Sequence, residues 1–349
     1  MQKIDAMSCY DDIDGVMKPA ENPILIGHRK IVDFFNHQRK GGRLHHALLF
    51  EGPRGIGKAT LAFHIAWNIL TEQKCALIAP DQTSWQWRQM AQSSHPSFLY
   101  ITRRFDARTE RFKAGIAVED IREIGKFLNQ TTRDGSWRVI LIDSADDMNR
   151  NAANALLKTL EEPPKKTLFI LISHIAGRLL STIHSRCQRI VFQPLGHEEI
   201  EKVLRLVVAP PLIEQRESLV PLIEKAQGSA RKAALLLCYG GMEIIRTVDD
   251  LLAEVPFNVE KAQQLAQVLA GRENGGQFLE FCDYIGAMTA ERAFYAADIG
   301  DKAQALAYAH LWQKQQNEWS LTEAFNLDKK QAVISLLQRL YLMTQSLKS

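Results

Sequence analysis

Residues 52–60, with the sequence Gly-Pro-Arg-Gly-Ile-Gly-Lys-Ala-Thr, constrain the fold of this chain more than any other feature. They nearly match the pattern G-x-x-x-x-G-K-[ST], in which backbone N–H groups surround phosphates and the lysine reaches the terminal ones. The preceding run 46–50 is apolar and strand-like, and residues 60–70 have a helical pattern. A strand, a glycine-rich turn and a helix in this order predict a P-loop in an α/β domain.

Two positions depart from the pattern of an ATP-hydrolysing enzyme. The residue after Lys58 is Ala59, which has no hydroxyl for Mg²⁺, and Thr60 is one residue late, about 100° further round a helix. The apolar run 139–142 ends in Asp143, as in a Walker B strand, but the next residue is Ser144 and not the glutamate that serves as base. The sequence therefore predicts a phosphate cradle without hydrolysis.

Composition sets broad limits on function. The chain has 349 residues, 46% hydrophobic and 24% charged, with a net charge of +3. This charge is too weak to indicate a dedicated DNA-binding surface. The five cysteines are scattered, which indicates neither a disulfide framework nor a zinc site. Residues 1–15 are acidic, unlike a signal peptide, and no apolar run reaches the ~18 residues of a membrane span. We expect a cytoplasmic protein without membrane contact.

Strand-like and helical patterns alternate in the first half of the chain and give way to helices in the second. The predicted strands are 46–50, 98–101, 138–142, 167–172 and 189–192. The alternation predicts a mostly parallel sheet covered on both faces. We expect four segments: a flexible lead-in at 1–22, an α/β P-loop domain at 23–193, a helical lid at 194–243 and a helical domain at 244–349.

A longer motif makes the comparison with a known family specific. Residues 151–164 read Asn-Ala-Ala-Asn-Ala-Leu-Leu-Lys-Thr-Leu-Glu-Glu-Pro-Pro, and Ser185-Arg186-Cys187 follows downstream. Both resemble the bacterial clamp loader, the AAA+ machine that places the sliding clamp on DNA for DNA polymerase III. The resemblance covers about residues 23–240. It implies an AAA+ P-loop domain with a parallel sheet, a small helical lid and an all-α C-terminal collar for oligomerisation.

The resemblance also implies a role for the arginine of the second motif. In that family this arginine is a finger that acts on the ATP bound by the neighbouring subunit, so Arg186, flanked by Ser185 and Cys187, would be catalytic in trans. Such a finger is worth ~10³–10⁵ in rate in well-studied NTPases. The implied partners are the gamma and tau ATPases and delta, with the sliding clamp and primed DNA reached through the assembled complex.

The remaining candidate residues belong to a degenerate nucleotide site. Family resemblance assigns Arg231, in the run Gly-Ser-Ala-Arg, to a lid motif that contacts nucleotide, although a solvated surface arginine is the simpler interpretation. Ser173 and His174 end a strand where the family has a phosphate sensor, and a plain polar strand end fits equally well. The degenerate site as a whole comprises Gly52, Gly55, Gly57, Lys58, Thr60, Asp143 and Arg231. ATP or ADP is the ligand that this set could still hold.

One stretch departs from the family. Many members carry four cysteines in a zinc module after the P-loop helix, whereas residues 71–97 contain only Cys75. A structural zinc site needs about four ligands, and Cys75 with His95 cannot supply them. We expect no metal here. Trp85 and Trp87 predict helical packing in this segment, with base stacking as the alternative.

These residues are compatible with three functions to different degrees. The first is a non-hydrolysing clamp-loader subunit within the DNA-directed DNA polymerase holoenzyme, donating Arg186 to a partner. The second is an active AAA+ ATPase, a motor of the same machine or of a related remodeller, against which Ala59 and Ser144 argue. The third is a direct DNA-binding module, against which the weak charge argues.

Overall fold

The computed structural model describes residues 12–73, 76–106, 108, 111–113, 115–129, 136–175, 177–214, 218–271, 275–325 and 328–346. The chain divides into two compact units, Met1–Ala234 and Leu235–Ser349. The finer boundaries at residues 193 and 243 stay a prediction. No helix within the described ranges is long and apolar enough to cross a membrane.

The first unit is built on a five-stranded sheet in the order β2-β5-β6-β1-β7, in which every neighbouring pair is parallel. A two-stranded antiparallel hairpin, β3-β4, stands apart from it and has no counterpart in the sequence prediction. The described strands are β1 (Ala47–Glu51), β2 (Phe98–Ile101), β3 (Phe105–Asp106), β4 (Arg111–Phe112), β5 (Arg138–Asp143), β6 (Thr167–Ser173) and β7 (Gln188–Val191).

Helices connect most of these strands and form the regular structure of the second half of the described chain. They are α1 (Arg29–Lys40), α2 (Lys58–Leu70), α3 (Trp85–Ala91), α4 (Val118–Asn129), α5 (Arg150–Glu161), α6 (Ser181–His184), α7 (His197–Val207), α8 (Pro210–Glu214), α9 (Val220–Ala226), α10 (Ala230–Cys238), α11 (Gly241–Ala253), α12 (Val259–Leu269), α13 (Gly275–Asp298), α14 (Lys302–Phe325) and α15 (Lys329–Ser346). The predicted fold class, a parallel α/β sheet followed by a helical region, is confirmed.

Burial explains why these segments form a parallel sheet. Every residue of β1 and β6 is buried, as expected for central strands covered by helices on both faces. One face packs against α2, which buries eleven of its thirteen residues. The other face packs against α4 and α5 through a separate cluster that includes Ile124, Leu156 and Phe169.

The strand order determines where a site can form. Strand β1 lies between β6 and β7, so the chain changes direction across the sheet after β1. In such sheets ligands bind beyond the carboxyl ends of the strands, next to the switch point. The P-loop follows β1, and Asp143 and Ser173 end β5 and β6 at this same edge. The topology therefore brings Ser173 to the same edge of the sheet as the P-loop, although about 120 residues separate them in the sequence.

Residues 12–22 of the predicted lead-in are paired with other parts of the chain. The backbone N–H of Met17 donates to Val207 at 2.7 Å, and Ala209 donates to Gly15 at 3.1 Å. Ile13 is buried. Residues 1–11 of that segment lie outside the described residues.

The second unit has its own apolar core. Helices α11, α12, α13 and α15 pack around a cluster that includes Leu251, Phe281, Leu337 and Leu340. The 24-residue helices α13 and α14 pack along each other. Their buried polar contact is a hydrogen bond from Gln315 to Thr289 at 3.0 Å.

The segment between α2 and β2 is only partly as expected. Helix α3 forms, with Ser84 accepting the N–H of Trp87 at its N-terminus, and Trp87 packs in the core. Trp85 is exposed instead and stacks on His95 of the same segment, with ring centroids 5.6 Å apart. Cys75 lies outside the described residues, and those that are described contain no cluster of three or more metal ligands.

Candidate functional site

A cavity of about 630 Å³ lies at the carboxyl edge of the sheet, within the size range of ligand pockets. Residues 54–60 of the P-loop region line one side of it. Its apolar side is formed by Ile24, Leu25, Val203 and Val207. Of the residues assigned to the degenerate nucleotide site, the cavity brings together Gly55, Gly57, Lys58, Thr60, Asp143 and Arg231.

Lys58 is bonded to the loop that holds it. Its side-chain amine donates to the carbonyl oxygens of Gly52 and Pro53, both at 2.5 Å, and the residue is only 2% exposed. Burial lowers the pKa of Lys58 to about 8, and the nearby carboxylates of Asp143 and Asp146 oppose part of that shift. The cation that would meet a phosphate is therefore already satisfied by the protein's own carbonyl groups.

The first turn of α10 sits directly on the P-loop. The N–H of Arg231 donates to the carbonyl of Gly55 at 3.1 Å, and the hydroxyl of Ser229 donates to the carbonyl of Arg54 at 2.8 Å. A Cβ on Gly55 would lie 2.2 Å from the Cβ of Arg231, and Gly55 has a φ of +77°. Glycine is thus required here both by the backbone and by the approach of α10.

His28 holds the loop from its other side, and the sequence prediction missed it. Its Nε2 donates to the carbonyl of Ile56 at 2.6 Å, and its ring packs edge-on to Phe192 at 4.8 Å. Burial lowers the pKa of His28, which favours the neutral ring. A histidine at the start of a helix gives no sequence signal for such a contact.

Asp146, just after β5, forms hydrogen bonds with the end of β6, and the sequence did not predict this contact. Its buried carboxylate accepts the hydroxyl of Ser173 at 2.8 Å, the backbone N–H of His174, and that of Ile175 at 3.3 Å. Ser173 is therefore a structural polar group. His174 lines the cavity, with its Nε2 3.9 Å from the Oδ1 of Asp143.

The donor set does not fit a magnesium-bound triphosphate. Ala59 brings no oxygen, and the phenol of Tyr100 approaches the carboxylate of Asp143 at 3.4 Å. Ser144 turns its hydroxyl to Asp146 at 3.3 Å. Carbonyl oxygens of the loop accept hydrogen bonds from Lys58, Ser229 and Arg231. The carboxylate of Asp143 is present, but the hydroxyl that would bind the metal at position 59 is missing.

Arg186 lies apart from this cavity. It follows α6 and lines an open depression together with His45, His46 and Ser185. Its guanidinium donates to the carbonyl of Thr182 at 2.9 Å and pairs with a carboxylate oxygen of Glu161 at 2.5 Å. About a third of its side chain is exposed. It can therefore exchange its partner without unfolding the turn.

The two residues beside Arg186 differ in environment. The hydroxyl of Ser185 donates to Thr182 at 3.1 Å, which closes the turn after α6. Cys187 packs against the cluster beneath α4 and α5, and burial raises the pKa of its thiol to about 12. Cys187 therefore acts as a packed apolar group and not as a nucleophile.

Comparison with known proteins shows which proteins this chain resembles. Residues 27–196 match the family model described as "DNA polymerase III, delta subunit". The chain is 40% identical over 149 residues to DNA polymerase III subunit delta' of Pseudomonas aeruginosa, covering 42% of this chain and 43% of the relative. It is 32% identical over 240 residues to subunit gamma of Buchnera aphidicola from Acyrthosiphon pisum, covering 66% and 63%.

A likeness to a solved structure is weaker. The crystal structure of a DNA polymerase III gamma subunit-related protein from Thermotoga maritima is 15% identical, covers 90% of this chain and 99% of that one, and superposes with a TM-score of 0.42.

The aligned region spans less than two thirds of the length of the curated relatives. The stretch that matches the family model includes the P-loop, the strand that ends in Asp143 and the turn that carries Arg186. Over this stretch the chain is similar to DNA polymerase III subunits of the delta-prime, clamp-loader type.

Proposed function

We propose that this chain is a non-hydrolysing, delta-prime-type subunit of the DNA polymerase III clamp loader, and that Arg186 completes the ATP site of the neighbouring subunit. The observation that carries the proposal is the contrast between a P-loop closed by its own protein and an arginine at the surface.

The P-loop supports the non-hydrolysing role. Hydrolysis needs a metal ligand at position 59 and a base at position 144, and these are alanine and serine. In addition, the amine of Lys58, which lines the cavity, is hydrogen-bonded to the carbonyl oxygens of Gly52 and Pro53. Restoring an active site would require a new ligand, a new base and a rearranged lysine.

Arg186 supports the role in trans. Its guanidinium is a rigid fork of donors suited to phosphate oxygens. Its salt bridge with Glu161, which is half exposed, is of a kind worth at most about 1 kcal/mol. The triphosphate of a neighbour carries more charge than one carboxylate and can replace Glu161 as the partner.

The proposed setting is an assembly in the cytoplasm. The partners are ATPase subunits of the gamma or tau type and a delta subunit, held together through the C-terminal helices as a collar. The assembly loads the sliding clamp onto primed DNA, and contacts with DNA belong to the complex.

The test has two stages. First, Mg²⁺-dependent ATP hydrolysis is measured for the purified chain alone, and we expect only background turnover. Second, Arg186→Ala is placed in the reconstituted loader, where we expect DNA-stimulated turnover at the completed site to fall ~10³-fold or more while the complex stays assembled.

Arg178→Ala removes a nearby surface cation and serves as the control. Normal turnover by an intact Arg186→Ala complex would exclude the finger. Turnover by the single chain that Lys58→Ala abolishes would favour the alternative, an active AAA+ ATPase, which the nucleotide-sized cavity beside Lys58 makes worth testing.

A further inference from the structure

We propose that Glu51 is a positioning residue for Arg186, because its buried carboxylate contacts residues on both sides of the turn that carries this arginine. The inference rests on the proposed finger role of Arg186 and adds which contacts orient the turn that carries it.

Glu51 is the last residue of β1, immediately before the P-loop, and only 4% exposed. Its Oε2 accepts a hydrogen bond from the Nε of Arg189 at 2.7 Å. Its Oε1 lies 3.4 Å from the Nδ1 of His184. His184 ends α6, two residues before Arg186, and Arg189 is in β7, three residues after it.

Because Glu51 is buried, its charge depends on these contacts for stabilisation. A carboxylate removed from water is costly unless cations or donors compensate it. Arg189 is the closest cation to Glu51, and its side chain reaches inward from a position that is more than half exposed. Glu51 therefore holds the turn through a hydrogen bond from Arg189 on one side and is approached by the ring of His184 on the other.

The outer side of the turn is held more loosely. Glu161 contacts the guanidinium of Arg186 itself and is half exposed. Glu51 instead contacts residues that flank Arg186. Removing Glu51 would leave the guanidinium intact but release the backbone that aims it. A displacement of about 1 Å can cost ~100-fold in rate when it misplaces a catalytic group.

The experiment uses the reconstituted clamp loader containing Glu51→Gln, which keeps the shape of the side chain and removes its charge. We expect kcat for DNA-stimulated ATP hydrolysis to fall about 10-fold, with KM for ATP unchanged within about twofold. Asp120→Asn is the matched control, because Asp120 is equally buried and is paired with Arg104 at 2.7 Å, away from the turn.

A second variant keeps the test valid if Glu51→Gln does not fold. Arg189→Met removes the cation from the exposed side and should lower kcat by a similar factor. The double variants then separate positioning from stability. Adding Glu51→Gln or Arg189→Met to Arg186→Ala should lower kcat no further, because both act only through Arg186.

Additive losses in those double variants would overturn the positioning role, as would wild-type kcat in both Glu51→Gln and Arg189→Met. Either result, with Arg186→Ala still impaired, would leave the finger in place. Normal turnover in Arg186→Ala would instead remove the proposed function, and the role of Glu51 with it.

Discussion

The P-loop and the arginine turn are neighbours in the same sheet but differ in how their polar groups are satisfied. At the P-loop, backbone carbonyls accept from Lys58, Ser229 and Arg231, all within the chain. At the turn, Arg186 stays partly exposed and pairs with a half-exposed glutamate. The first site is closed around itself, and the second is free to exchange its partner.

The difference indicates which of the two sites still needs an outside molecule. A buried carbonyl without a donor costs about 1–3 kcal/mol, and at the P-loop such carbonyls find their donors within the same chain. A group that acts on another subunit must remain accessible. Three substitutions can break or sharpen this comparison, and they are taken from the largest expected effect to the smallest.

Gly55→Ala tests whether α10 really closes the P-loop. A methyl group there would meet the Cβ of Arg231 at 2.2 Å, so we expect the free energy of unfolding to fall by about 3 kcal/mol. Gly42→Ala is the control, because Gly42 also has a positive φ and its Cβ would meet nothing within 4 Å. Its expected cost is only the backbone strain of about 1 kcal/mol.

Urea denaturation of both variants measures the difference. Equal losses for Gly55→Ala and Gly42→Ala would mean that the contact between the loop and α10 adds nothing, and the closed cradle would no longer distinguish the two regions.

Lys58→Met tests the buried amine through pH. The pKa of Lys58 is lowered to about 8 in the folded chain, so the unfolded chain, with a pKa near 10.5, binds more protons between these values. Stability from this group therefore rises with pH through that window and is lowest below pH 8. From pH 7 to 9.5 we expect wild type to gain about 2 kcal/mol relative to Lys58→Met.

The measurement is the difference in unfolding free energy between the two proteins at each pH, so that other titrating groups cancel. A constant difference would show that Lys58 keeps its ordinary pKa and is accessible to water, and the P-loop would then resemble an open site.

Glu161→Gln tests the exchangeable partner of Arg186. Because the pair is exposed, its removal should change the free energy by less than about 1 kcal/mol, which is up to about fivefold in rate. We expect the reconstituted loader to turn over ATP up to about fivefold faster, since Arg186 no longer leaves a carboxylate to reach phosphate. Glu162→Gln, one residue on, is the control of equal charge.

A fall in turnover with Glu161→Gln would contradict exchange. It would indicate that Glu161 holds Arg186 in its active position, and the turn would then be as closed as the P-loop.

The sequence predicted the sheet well because its strands are buried. Continuous apolar runs with turn signals between them placed all five parallel strands to within about one residue. The short hairpin β3-β4 was missed, since two-residue strands carry no periodicity. In the segment before β2, the pattern could not distinguish buried Trp87 from exposed Trp85.

The candidate site was predicted in its residues but not in its contacts. Motif spacing identified Lys58 and Asp143, and the family resemblance identified Arg186. It gave no indication that Lys58 bonds to its own loop or that Ser229, 175 residues away from Arg54, closes on it. These contacts depend on how the chain folds back over the sheet, which local pattern does not encode.

The capped lysine has a consequence for the proposed assembly over a cycle of ATP binding and release. Subunits that use nucleotide as a structural element change shape when it leaves. Because Lys58 is held by the carbonyl groups of its own loop, we expect the P-loop of this chain to keep one conformation with or without nucleotide, whatever the nucleotide state of its proposed partners.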